Sequence, residues 1–302
     1  MDTKVKPESN GSTMKKDGIR AEVICDSVSP TGQRLTTIEA TMHRFVLSEF
    51  NTHRVLSRNS ASSRAIPFHK QAERVASNPA IPVSFPTEQR GMQGGDELSD
   101  KDSRTARHLW LQSRDHALNY ARHLADLGVH KSVVNRILEP FMWHTVIVTA
   151  TDWDGFFGLR CNELAQPEIR HVAEAIRSAY HSSTPSSMEY YEWHLPYIDD
   201  EDYDAAEQLA YGVGVDNRDG RVTQILKQVS SARCARVSYL THDGVRDIEK
   251  DLTLFERLSS ARPMHASPME HVATPVVSEV SVLGNFTGWK QFRHELEYRL
   301  YQ

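Results

Sequence analysis

Between Asn51 and Arg64 the chain reads Asn-Thr-His-Arg-Val-Leu-Ser-Arg-Asn-Ser-Ala-Ser-Ser-Arg, so that Arg54, Arg58 and Arg64 are interleaved with Ser57, Asn59, Ser60, Ser62 and Ser63. Guanidinium forks supply bidentate charge, and small hydroxyls, amides and backbone N–H groups fill the remaining lone pairs, which is the chemistry of a phosphate monoester site. The same residue types also suit a serine-rich surface loop with incidental arginines. The surrounding segment from His43 to Lys70 carries Arg44, Arg54, Arg58, Arg64 and Lys70 against the single acid Glu49. The whole chain has a net charge of −5, which opposes binding to a nucleic-acid backbone. The basic cluster is therefore matched to one phosphate rather than to a polymer. Conversely, the run from Ile198 to Glu207 is acidic and reads as a solvated loop or helix start.

Other chemistry-bearing residues are weaker. His265 and His271 lack the i, i+4 spacing of a helical metal pair and no carboxylate motif completes a site, so no metal is expected. Gly212-Val213-Gly214 lacks the third glycine of a dinucleotide fingerprint and reads as a turn. The 3 cysteines (Cys25, Cys161, Cys234) form no CxxC pair, which excludes a disulfide framework and fits a reducing cytoplasm.

The elements that must position these residues follow from periodicity. Ile19–Val28 alternates as a strand, Ser29-Pro30-Thr31-Gly32 is turn chemistry, and Arg34–Leu47 is extended. Prolines 67, 79, 82 and 86 and glycines 91, 94 and 95 mark a long loop from Ala65 to Arg104. Leu111, Leu118, Ala121 and Ala125 repeat at helical spacing up to Gly128, and the apolar stretch Val133–Thr151 reads as a buried helix. Ile169, Val172, Ala173, Ile176 and Tyr180 form an amphipathic stripe behind Pro167 at a first-turn position. Helices are predicted for Glu201–Tyr211, Val222–Tyr239 and Ile248–Leu258, and a strand for Pro275–Leu283. With 302 residues, 39% hydrophobic and 25% charged, the expectation is an α+β fold. Residues 19–302 would form a single domain, with a mixed or antiparallel sheet built from both chain ends around a helical middle. Residues 1–18 lack the apolar core of a secretory signal and read as a disordered tail; no apolar run reaches membrane-span length.

The pattern His53-Arg54-x-x-Ser57-x-Asn59-x-x-Ser62-x-Arg64 resembles the signature of the flavin-dependent thymidylate synthases, R-H-R-x-x-S-x-N-E-x-S-x-R, with Thr52 and Ser60 departing from it. Asn135-Arg136-Ile137-Leu138-Glu139-Pro140 is similar to the family's A-R-x-x-L-P. Phe156-Phe157-Gly158-Leu159-Arg160 and Ala165-Gln166-Pro167-Glu168-Ile169-Arg170 are similar to F-L-N-L-R and H-A-Q-x-E-I-R. Leu164 stands for the histidine there, and Thr149, Thr151 and Gly155 for an Asn, an Arg and an Asn. His265-Ala266-Ser267-Pro268-Met269-Glu270-His271, preceded by Arg236-Val237-Ser238-Tyr239, resembles a block that most members carry before the arginine motif. Here it follows, which implies a circular permutation.

The resemblance implies reductive methylation of dUMP at C5, with methylenetetrahydrofolate as one-carbon donor, FAD as electron carrier and NADPH as reductant. Carried over by position, Ser60, Ser62, Ser63, Arg64 and Arg136 would hold the nucleotide. Arg160 would lie against the uracil edge and stabilise charge as C5 becomes nucleophilic. His53, Arg54, Asn59, His265, Ser267 and Glu270 would contact FAD, in a homotetramer whose sites draw on several subunits. Two alternatives stay open: a related flavin- and folate-dependent hydroxymethylase of pyrimidine nucleotides, and a non-catalytic nucleotide-binding protein.

Overall fold

The computed structural model describes residues 13–16, 18–211, 220–237, 246–277 and 282–300. The N-terminal part runs β1 (Thr13–Lys16), β2 (Ile19–Val28), β3 (Arg34–His43), α1 (Leu47–Asn51), β4 (Ser57–Ser60), α2 (Phe68–Ser77), α3 (Asp100–Asp126), α4 (Lys131–Val134), β5 (Trp143–Ala150), α5 (Asp154–Arg160), α6 (Pro167–Ser182) and β6 (Ser186–Ser187). There follow α7 (Asp200–Tyr211), α8 (Arg221–Arg236), α9 (Ile248–Ser260), β7 (Ala273–Pro275), β8 (Val282–Leu283), β9 (Phe286–Thr287), β10 (Trp289–Gln291) and α10 (Phe292–Leu300). The fold is α+β.

The central sheet has the order β1-β2-β3-β5-β4, antiparallel throughout, with β6 added parallel to β2. Its two faces differ because strand side chains alternate. Register pairs Ile38 with Val148 and Ala40 with Val146, and these residues pack with Ile169, Val172, Ala173 and Ile176 of α6 in a fully buried core. Burial of each of those Ile and Val side chains contributes roughly 1.5–3 kcal/mol. On the opposite face the same register aligns Thr37 with Thr149 and Thr41 with Thr145, and Ser57 with Thr149 and Asn59 with Ile147. That hydroxyl-lined face is covered by the C-terminal part of the chain. Ser27 Oγ and Thr37 Oγ1 sit 2.8 and 2.7 Å from the two ring nitrogens of His194, Thr37 bonds Thr149 at 2.7 Å, and Thr149 Oγ1 lies 2.8 Å from His271 Nδ1.

Several expectations are corrected. Val133–Thr151 is not one helix: a 3-10 turn over Asn135–Phe141 ends after Pro140, and Trp143–Ala150 is the strand β5. β5 is paired on both edges and nearly all buried, so its residues show no alternation, and an apolar run alone does not separate strand from helix. The C-terminal strands do not enter the central sheet; β7 pairs with β10 and β8 with β9, and the C-terminal part docks through side chains instead. Thr13–Lys16, within the expected disordered tail, forms β1 against β2; residues 1–12 and 17 lie outside the described residues. The Ala65–Arg104 segment holds α2, started by Pro67 where a missing N–H costs nothing, and the first turn of α3, capped by Ser99 Oγ on the Asp102 N–H at 3.2 Å. The predicted helix Val222–Tyr239 is observed as Arg221–Arg236; the predicted strand Pro275–Leu283 is not one strand, since β7 ends at Pro275, Val276 and Val277 belong to no strand and Val282–Leu283 is β8. Gly212–Gly214, Ser238, Tyr239 and residues 278–281 lie outside the described residues.

The acidic run is only partly solvated. Asp202 is buried and receives both terminal nitrogens of Arg233, at 2.5 and 2.6 Å, while Arg233 Nε donates to buried Asp251 at 2.9 Å. This network ties α7, α8 and α9 together, since removing one partner of such a pair strands a buried charge.

Candidate functional site

The arginine motif occupies the α1–β4 connection, β4 and the loop beyond it. Ser57 is buried and accepts from Asn285 Nδ2 at 3.2 Å and from Gln291 Nε2 at 3.1 Å. Gln291 Nε2 also reaches the Glu270 carbonyl at 3.2 Å. Two residues on, Asn59 Nδ2 donates to the Cys234 carbonyl at 2.9 Å and Ser267 Oγ donates to Asn59 Oδ1 at 3.1 Å. Glu270 accepts from Arg293 at 2.5 Å and also faces the Arg58 charge. Hence the 3-10 turn Ser267–Glu270 sits on β4, and residues 208 apart in sequence become neighbours.

A second group centres on Arg160 at the end of α5. Its Nε donates to His53 Nε2 at 2.8 Å, and its Nη2 donates to the Glu49 carbonyl at 3.1 Å and to Thr52 Oγ1 at 3.0 Å. Nη1 has no partner among the described residues. Accepting at Nε2 requires a neutral imidazole protonated at Nδ1. Burial, and then the charges of Arg160 and Arg58, hold the His53 pKa below its ordinary value, which keeps it in that form. The result is a half-exposed guanidinium fixed on two of its nitrogens with the third facing outward.

The third group surrounds Glu139. Ser63 donates to Glu139 Oε1, Arg136 Nη1 donates to the same oxygen at 3.0 Å, and Arg44 stands 3.5 Å away. Asn135 Nδ2 donates to the Ser63 and Ile66 carbonyls at 2.7 and 3.0 Å; the loop carrying Ser62, Ser63 and Arg64 is thereby fixed from below. Arg54, Arg64 and His265 are exposed and their side chains have no partner among the described residues, and Ser60 is half-buried. Ser62 is exposed and lines a cleft of about 360 Å³ between α2 and β5. Arg160 is not among the residues lining that cleft.

The donor set fits a flavin dinucleotide. Arg54 and His265 offer unpaired, exposed cationic or donor groups to a pyrophosphate, while Asn59 and Ser267 bond each other and Glu270, paired with Arg293, faces Arg58. Two departures are accounted for by the covering C-terminal part: Thr149 is held by Thr37 and His271, and Thr151 Oγ1 accepts from the Thr287 N–H at 3.1 Å. Leu164 is exposed, and a Cβ on Gly155 would meet nothing within 4 Å. Among the described residues, no cluster of His, Cys, Asp and Glu has the arrangement of a metal site, and no helix is long and apolar enough to cross a membrane.

Residues 12–186, more than half of the chain, match the sequence profile described as thymidylate synthase complementing protein. The chain belongs to that family. Solved structures with a partial likeness include a UMP/dUMP methylase, PolB, from Streptomyces cacaoi bound with 5-Br dUMP. It has a TM-score of 0.45 and 15% identity over 55% of this chain and 91% of the other. The same methylase bound with 5-Br UMP gives 0.44 and 15% over 55% and 90%. No curated protein matches. The profile match ends before the 267–270 turn, so the C-terminal block joins the family motif only through the contacts described above.

Three residues were not singled out from sequence: Glu139, which gathers Ser63, Arg136 and Arg44; Gln291, which clamps Ser57 to Glu270; and Arg293, which pairs Glu270. Glu139 lay within a matched motif and carried a signal. Gln291 and Arg293 carried none, because nothing local relates them to a strand more than two hundred residues earlier.

Proposed function

We propose that the protein catalyses reductive methylation of dUMP to dTMP, using methylenetetrahydrofolate, FAD and NADPH, as a homotetramer. The observation that carries this reading is the seating of Ser267–Glu270 on β4, with Ser267 bonded to Asn59 at 3.1 Å. It joins a flavin-type motif half to the arginine motif despite the reversed order in sequence.

In this reading Ser62 and the unpaired Arg64 take the nucleotide phosphate, with Ser60 at the end of β4, Arg136 on the neighbouring 3-10 turn and Ser63 fixing the loop's shape. His53, Arg54, Asn59, His265, Ser267 and Glu270 hold FAD. A flavin held there would supply, with NADPH as reductant, the hydride equivalent needed to bring the transferred methylene to the methyl level. Arg160 is the catalytic group: its outward Nη1 donates to a ring oxygen of the base and stabilises the negative charge that makes C5 nucleophilic. Its other bonds prepay the cost of orientation. Arg160 does not line the Ser62 cleft, and in the homotetramer of this reading a neighbouring copy brings it to the nucleotide. The assignment to dUMP rests on the family; the reading is tested by incubating protein, dUMP, methylenetetrahydrofolate, FAD and NADPH and weighing the product. A methylated nucleotide supports it, and a hydroxymethyl product, or protein that takes up no flavin, refutes it.

A further inference from the structure

The Ser62 cleft contains a feature the family motifs do not explain. Gln71, on the first turn and a half of α2, is 4% exposed and lines the cleft, yet its side-chain amide makes no hydrogen bond among the described residues. The side chain is packed, yet its amide atoms are not shut off from solvent; donor and acceptor open onto the cleft, where a ligand can pair with them. Arg74, three residues on and so on the same helix face, also lines the cleft with no partner among the described residues. Around them Ile66, Val75, Phe141 and Met142 supply apolar walls. A volume of about 360 Å³ is within the range of small-molecule sites.

We propose that Gln71 is the base-reading residue of a pyrimidine nucleoside monophosphate site in this cleft. An amide offers one donor and one acceptor side by side, which matches the N3–H and an adjacent carbonyl of a uracil ring. The apolar walls take one ring face and leave the other open for the reaction at C5, and Arg74 joins Ser62 at the phosphate, next to the exposed Arg64. The inference rests on the nucleotide reading above but names a base-reading residue that reading does not. Because no internal bond fixes its orientation, the amide can turn over, and the cleft accepts the N3 and N4 edge of cytosine as well.

The test is equilibrium binding by calorimetry of dUMP, dCMP and N3-methyl-dUMP to the full chain and to Gln71→Leu and Gln71→Glu, with folding checked by circular dichroism. The expected result is that native protein binds dUMP and dCMP within a few-fold of each other and N3-methyl-dUMP at least about tenfold more weakly, a difference of roughly 1.4 kcal/mol. In Gln71→Leu that preference disappears, dUMP weakening to the level of N3-methyl-dUMP; Gln71→Glu, nearly isosteric, also weakens dUMP about tenfold or more. Native protein that binds dUMP and N3-methyl-dUMP equally, or folded variants that keep the preference, overturn the role of Gln71 and leave the nucleotide reading standing. Native protein that binds no pyrimidine nucleotide overturns both.

Discussion

Arg160 is positioned by three hydrogen bonds that use its Nε and Nη2 and leave Nη1 outward. Removing a preorganised donor to developing charge costs about 10²–10³-fold in kcat. Arg160→Ala should therefore lose turnover on that scale while nucleotide binding changes severalfold, as read by steady-state kinetics beside calorimetry. Arg64 is exposed and unpaired, so Arg64→Ala should raise the nucleotide KM by about ten- to a hundredfold, the worth of one charge-assisted hydrogen bond, with kcat nearly held. Equal effects of both on binding alone would contradict this division of roles. Both arginines were legible from sequence because the family pattern fixes their positions. Gln71 was not, since a glutamine on an amphipathic helix looks like any solvated residue until its burial and its missing partners are seen.

At the scale of elements, the sheet's hydroxyl face makes the fold depend on neutral histidines. Burial lowers the pKa of His194 and His271 to about 3, His194 adding its charge to the effect on His271, and burial then Arg44 lower His144 to about 3. Above the unfolded value near 6.5 both states are neutral and nothing is lost. Below it the unfolded chain takes up protons that the folded chain refuses, so stability falls as pH drops from about 6.5 toward 3. Each such histidine adds roughly 1.4 kcal/mol per pH unit to the slope. Urea unfolding at pH 7, 6 and 5 should show this decline, and His194→Gln should make it shallower; an unchanged slope would contradict the assignment. Similarly, Gln291→Leu removes the two bonds that clamp Ser57 to the Glu270 carbonyl and leaves Ser57 with Asn285 alone, which should cost about 1–3 kcal/mol in the same assay. The bodies of α3 and α6 were readable because apolar stripes of 3.6-residue period, Gly128 at the end of one and Pro167 at the start of the other mark them locally. The β5 strand was not, because pairing on both edges, which no local window contains, decides its conformation.

Taken whole, the molecule reunites its motifs by docking rather than by strand pairing. Both chain ends were expected in one sheet; instead the C-terminal part lies over the polar face of an N-terminal sheet, and Ser267, Glu270 and Gln291 reach β4 through side chains and carbonyls. Fold class and the juxtaposition of the two motif halves were legible from the order of the motifs. The manner of closure was not, because it rests on contacts between residues far apart in sequence. If Arg160 serves the cleft of a neighbouring copy, mixing Arg160→Ala with Arg64→Ala protein at a dUMP concentration well below the raised KM of Arg64→Ala should give more activity than the two variants apart, and sedimentation should give a tetramer; no gain on mixing would contradict sharing between copies. The most direct measurement is mass analysis of the nucleotide formed from dUMP with methylenetetrahydrofolate, FAD and NADPH. The account predicts dUMP carrying a methyl group at C5, and a hydroxymethyl group or unchanged dUMP would contradict it.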